Sequence, residues 1–125
     1  MSDNAVHVTF GGKIVFVGFG SIGQGVLPLI LRHVGIRAER ILIVTADETG
    51  REEAERYGAR YLVTPLTEAN FRSVLEPQLG AGDFLLNLSV DVSSIALVRF
   101  ARERGALYLD TCIEPWAGGY FDPAL

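Results

Sequence analysis

The chain has 125 residues, 49% of them hydrophobic and 21% charged, with a formal net charge of −4. That length fits one domain with one core, and the composition excludes a disordered chain. Its basic residues are almost all Arg interspersed with acids, as in R-E-E-A-E-R at Arg51 to Arg56, so no basic stripe suits a nucleic-acid backbone.

The apolar runs fall far short of the roughly 20 residues of a membrane span, and the opening M-S-D-N-A-V-H-V-T-F lacks the pattern of a secretion signal. No membrane association and a cytoplasmic location are therefore expected. Cys112 is the single cysteine, which rules out an internal disulfide and a multi-cysteine metal site.

Ile14 to Val17 is an apolar, largely β-branched run ended by glycine, the mark of a strand buried on both faces. Ser21 to Val34 has helical spacing with Gly35 as its expected stop, and Pro28 inside it predicts a kink or a late start. Ile41 to Thr45 reads as a second strand. Glu48 to Tyr57 reads as a helix closed by Gly58, and Arg60 to Val63 as a third strand. Thr67 resembles a helix N-cap, and Pro77 is expected to end or distort the helix that follows. Phe84 to Leu88 is a fourth strand. Ser93 or Ser94 caps the next helix, Gly105 closes it, and Ala106 to Leu109 is a fifth strand. The last 16 residues carry Gly and Pro too densely for long regular elements.

Strands of the buried type alternating with helices predict an α/β fold, a Rossmann-type doubly wound parallel sheet of about five strands. Ligands of such sheets bind beyond the carboxyl ends of the strands, so the segments after each strand carry the functional expectations.

After the first strand, Gly18, Gly20 and Gly23 fit G-x-G-x-x-G. One glycine permits the turn, the next lets backbone approach a pyrophosphate, and the third lets helix and strand pack closely. Read alone, the motif also suits a tight strand-to-helix turn; its place before the first helix favours dinucleotide binding. An acid for the ribose hydroxyls is expected near the second strand's end, where Thr45 stands with Asp47 two residues later. With no Arg before Arg51, Asp47 favours NAD as cofactor over NADP; the other reading is that Asp47 caps a turn. After the fourth strand come Asn87, Ser89, Asp91, Ser93 and Ser94, which could bond a cofactor or cap the next helix; Asn87 interrupts an apolar strand and needs a partner if buried. After the fifth, D-T-C-I-E-P-W brings a carboxylate and an aromatic ring together, a combination that suits a cationic amine. Equally, Glu114 could lie at the surface and Trp116 could anchor the core. Cys112 reads as a small buried hydrophobe, since neither His7 nor His33 falls at this end of the sheet.

G-F-G-S-I-G-Q-G-V-L-P-L-I, N-L-S-V-D-V-S-S and G-A-L-Y-L-D-T-C-I-E-P-W, in that order, resemble the N-terminal part of the homospermidine synthases, a family related to the saccharopine dehydrogenase group. The resemblance implies an NAD-binding domain over residues 1–125, the N-terminal part of a longer enzyme that joins two putrescines, or a similar diamine, with loss of ammonia. By the same resemblance Gly18, Gly20, Ser21, Ile22 and Gly23 hold the pyrophosphate, Asn87, Ser89 and Thr111 line the cofactor, and Asp91 and Glu114 belong to the amine site. An acid is expected where Thr45 stands, which is the one departure within the motifs. A non-catalytic module of the same fold and another amine or amino-acid oxidoreductase remain the alternatives, and a homo-oligomer is compatible with the sequence.

Overall fold

The computed structural model describes residues 8–111 and 113–118. Five strands form one parallel sheet: β1 (Ile14–Val17), β2 (Ile41–Thr45), β3 (Arg60–Val63), β4 (Phe84–Asn87) and β5 (Leu107–Asp110). Their spatial order is β3-β2-β1-β4-β5. The order reverses beside β1, which is the central strand; Val17 pairs with Val44 on one side and with Asn87 on the other.

Helices α1 (Ser21–His33) and α2 (Arg51–Arg56) cover one face, and α3 (Phe71–Leu75) and α4 (Ser94–Arg104) the other. The strand residues divide between two cores accordingly. Ile14, Phe16, Ile41 and Ile43 pack towards Leu27 and Ala54, whereas Val15, Val17, Leu42 and Val44 pack towards Leu75, Leu97 and Phe100. Burial on both faces explains why β1 and most of β2 are apolar without alternation. Leu27 is wholly buried, and truncating it to Ala would cost about 2–5 kcal/mol.

The structure departs from the sequence reading at several element ends. α1 begins at Ser21 and runs unbroken through Pro28, so there is no late start. Pro28 lacks only the donor that would reach the Gln24 carbonyl, and burial of Gly23 and Leu27 against the sheet holds the rest of the helix. Gly35 is not its stop: Val34 caps α1, and Val34–Gly35 pairs in parallel with Val8–Thr9. A short 3-10 turn, Ala38–Arg40, then leads into β2. α2 starts only at Arg51 because residues 46–50 form the turn after β2. Thr67 does open the next turn. Its hydroxyl accepts from Asn70 N–H (3.2 Å), and the Asn70 Oδ1 accepts from Thr67 N–H (2.8 Å), a reciprocal cap ahead of α3. Pro77 falls in the 3-10 turn Glu76–Gln78 that ends the helix. Ser93 caps α4 by accepting from Ala96 N–H (3.1 Å), and Gly105, at φ +73°, closes it.

At the amino end of the sheet the buried Asp83 accepts from the backbone of Lys13 and of Gly80, both at 2.8 Å. That carboxylate fastens β1 to β4 at the end opposite the loops described next.

Candidate functional site

A crevice of about 570 Å³ opens at the carboxyl ends of β1, β2, β3 and β4. Gly18, Gly20, Thr45, Ser89 and Asp91 line it, together with residues 64–67 after β3. Its size and its place at the reversal of strand order suit a dinucleotide.

The three motif glycines are needed for three separate reasons. Gly18 continues the sheet by donating its N–H to the Val44 carbonyl (2.8 Å), then turns at φ +87°, a region L side chains rarely adopt. A Cβ on it would also stand 2.8 Å from Ser89 Cα. Gly23 is buried, and a Cβ there would meet Phe19 Cδ1 at 2.9 Å, so helix and loop touch only because it is glycine. Gly20 is different: it is the N-cap of α1, and a Cβ on it would meet nothing within 4 Å. It is exposed and opens onto the crevice.

The start of α1 suits an anion. No side chain caps it and its first turn holds no acid, whereas α2 carries Glu52 and Glu53 in the same place. The positive end of the helix dipole and the first N–H groups, at the exposed Ser21 and Ile22, face outward uncompensated by the helix's own side chains. Phe19 wedges this loop from below. Its ring is buried, lies edge-on to Phe16 and Tyr61, and reaches between Gly23 of α1 and Gly50 at the start of α2.

Asp47 lies just beyond the crevice wall, which Thr45 and Ala46 form at this point. Its Oδ1 accepts from Thr49 N–H (2.9 Å), and that bond holds the exposed carboxyl below the usual carboxylate range. Arg51 carries its charge away from the crevice, held by Glu48 (2.9 Å) and Glu55 (3.6 Å) and stacked on Tyr61.

At the β4 end Asn87 is buried and fully engaged. Its Oδ1 accepts from the Ser89 N–H (3.1 Å) and the Ser89 hydroxyl (2.5 Å), and its amide donates to the Tyr108 hydroxyl (3.1 Å). Tyr108 donates in turn to Asp110 Oδ2 (2.8 Å). Burial is the main cause that pushes the phenol up to about 12, offset in part by the Asn87 bond and reinforced by Asp110. Tyr108 is thus a donor at any ordinary pH. Asn87, Ser89 and Gly18 form one contiguous rim, because the Ser89 backbone fills the space where a Gly18 side chain would go.

Asp91 is the one described non-glycine residue at positive φ, +63°, a conformation Asp tolerates better than most residues. Its N–H points to Glu114 Oε1 at 3.4 Å. Glu114 is buried, and its backbone brackets Ser94: the Glu114 N–H donates to the Ser94 hydroxyl and the Ser94 N–H to the Glu114 carbonyl, each at 2.8 Å. The segment after β5 is thereby pinned to the start of α4, with Trp116 against Phe71. Thr111 lies apart, on a second and apolar cavity, and Cys112 falls outside the described residues.

Gly18, Gly20, Ser89 and Asp91 therefore share the crevice, with Asn87 and Glu114 directly behind it, while Asp47 and Thr111 stand outside. Sequence reasoning gave residues 64–67 no part in the site, reading Thr67 only as a helix cap. It also passed over Tyr108, whose part in the site comes from a bond to Asn87 on the neighbouring strand. Among the described residues no group of three metal-ligating side chains occurs, and no helix is long and apolar enough to cross a membrane.

A doubly wound sheet in this strand order, with an uncapped first helix and a glycine held open at its tip, defines a dinucleotide-binding domain. The saccharopine dehydrogenase NADP binding domain family matches residues 14–121, and the chain belongs to it. It is 45% identical over 128 aligned positions to the homospermidine synthase of Blastochloris viridis, an alignment that takes in 100% of this chain and 27% of that protein. To the homospermidine synthase of Mesorhizobium japonicum it is 42% identical over 120 positions, 94% of this chain and 25% of the relative. The solved homospermidine synthase of Legionella pneumophila, in complex with NAD, superposes with a TM-score of 0.84 at 33% identity, over 87% of this chain and 24% of that one. The chain thus spans about a quarter of the length of the relatives it matches.

Proposed function

We propose that residues 1–125 are the N-terminal, NAD-binding domain of a homospermidine synthase, an enzyme of the cytoplasm that joins two putrescines or a similar diamine with loss of ammonia. The observation that carries this reading is Gly20, open at the tip of a helix with neither cap nor acid, beside a crevice of dinucleotide size. The relatives of the same name supply the reaction class.

Gly18 and Gly23 shape the loop, Gly20 leaves room for the pyrophosphate, and the N–H groups at Ser21 and Ile22 receive it. Asp47 and its held negative charge stand at the ribose end and disfavour a 2′-phosphate, so NAD is preferred over NADP. Asn87 fixes Ser89 along the cofactor, whereas Thr111, on the second cavity, is left without a role at the crevice. Bound NAD supplies a hydride acceptor that becomes the hydride donor later in the same cycle. Asp91 and Glu114 present the negative charge that an alkylammonium group of the substrate needs, with Asp91 oriented by its positive φ and by Glu114.

Isothermal titration of the folded chain with NAD and with NADP tests the cofactor assignment. Binding of NAD alone, or in clear preference, is the expected result; binding of neither refutes it. A product assay of the full-length enzyme with putrescine tests the reaction.

A further inference from the structure

The second cavity, of about 400 Å³, is a groove on the α1 face with walls of apolar atoms alone. Val26 and Ile30 of α1 form one side, and Phe84, Leu86, Leu88 and Leu109 form the floor. Beside it Leu107 and Leu109 of β5 remain 55% and 54% exposed, and Val8 at its end 57%. A patch of this kind on an otherwise well-packed domain marks a surface that something covers.

The connectivity shows why the described chain cannot cover it. The connections that reach β4 and β5 place α3 and α4 on the opposite face, as right-handed crossovers running in this direction must. After β5 the chain also turns to that opposite face, where Glu114 is bonded to Ser94 and Trp116 packs on Phe71. On the α1 side α2 lies over β2 and β3, so the strip over β4 and β5 has no helix among the described residues.

We infer that this groove seats the apolar face of an amphipathic helix from the polypeptide beyond residue 125, packed beside α1 across β4 and β5. Two observations choose that occupant. The relatives are about four times longer than this chain, so most of such an enzyme lies outside it. The groove also runs beside α1 with the shape left when one helix of a covering layer is supplied from elsewhere, its floor being a sheet face and one wall a helix. The inference rests on the reading of the chain as the N-terminal part of a longer enzyme. It adds where the remainder attaches: on the side of the sheet away from α3 and α4, with Leu88 as the wall shared with the crevice.

The test uses the full-length enzyme with Leu109 replaced by the photo-crosslinking amino acid p-benzoylphenylalanine. The expected result is an intramolecular cross-link to positions beyond 125, spaced by three or four residues. A cross-link to a second copy, to residues 1–7 or 119–125, or to no protein would overturn the inference, as would a reading frame that ends at residue 125. Leu109→Glu provides a second measurement. It should lower the melting temperature of the full-length enzyme while leaving that of the 125-residue chain unchanged; equal effects in both would count against a buried groove. Titrating the same samples with NAD separates the two readings. NAD binding without the cross-link defeats the inference alone, and the cross-link without NAD binding defeats the cofactor assignment alone.

Discussion

Replacing Gly18 and Gly20 by Ala, one at a time, separates what the loop does for the fold from what it does for the cofactor. At Gly18 an added methyl would lie 2.8 Å from Ser89 Cα and 2.9 Å from Ser89 N, which are backbone atoms that cannot swing aside. The residue would also be held at φ +87°. Left-handed strain of about 1–2 kcal/mol and overpacking of about 1–3 kcal/mol together give ~2–5 kcal/mol, a large part of the ~5–15 kcal/mol stability of a typical domain. At about 4 °C per kcal/mol, Gly18→Ala should lower the melting temperature by ~8–20 °C. At Gly20 the methyl meets nothing and φ is −86°, so Gly20→Ala should leave the melting temperature within about 3 °C, or raise it slightly. Its effect should fall on NAD. Losing one backbone hydrogen bond to a charged group, worth about 1.5–3 kcal/mol, weakens binding by ~10- to 150-fold. Thermal melts by circular dichroism and titration calorimetry read the two quantities. A Gly18→Ala protein as stable as the parent, or a Gly20→Ala protein that binds NAD equally well, would refute the assignment of roles.

Asn87→Leu removes the partner of the Ser89 N–H and of the Tyr108 hydroxyl; a loss of about 1–3 kcal/mol in urea unfolding, together with weaker NAD binding, is expected. Because the Tyr108 phenol is raised from 10 to about 12 in the folded state, its contribution to stability is fully present below pH 10 and is lost as pH rises towards 12. Tyr108→Phe should remove that part of the alkaline loss, as measured by unfolding between pH 9 and about 12. Asp47→Asn should narrow the preference for NAD over NADP, and the narrowing should shrink as salt is raised, because the carboxylate is exposed and screened. An unchanged NAD to NADP ratio at low salt would remove Asp47 from cofactor selection.

The sequence made the inner strands β1, β2 and β4 legible because they bury both faces and stand out as apolar runs, whereas the edge strands β3 and β5, exposed at alternate residues, were legible from the turn residues that bound them. Ile14–Val17, Ile41–Thr45 and Arg60–Val63 were read to the residue. Helix starts were less legible, since they depend on where the turn after a strand ends: residues 48–50 look helical by composition yet belong to a turn around the Asp47 to Thr49 bond. Pro28 does not delay the start of α1, because one missing donor matters less than the burial of the turn around it. Of the site, the glycine loop was legible because its geometry has no substitute. What Asn87 bonds to was not, because its partner Tyr108 lies on a neighbouring strand and no local spacing announces it. The pairing of Val8–Thr9 with Val34–Gly35 was equally hidden, for two-residue strands carry no periodicity.

The ring of Phe19 has a consequence for how this loop can change over evolutionary time. Gly23 and Gly50, far apart in sequence, are both confined to glycine by the same side chain. Neither can acquire a Cβ while the ring is present, and shrinking the ring first would leave a cavity under the phosphate loop. The three positions are therefore locked into a single coupled unit. A drift towards alanine at either glycine must wait for a smaller residue at position 19, and that intermediate would be the least stable point on the path.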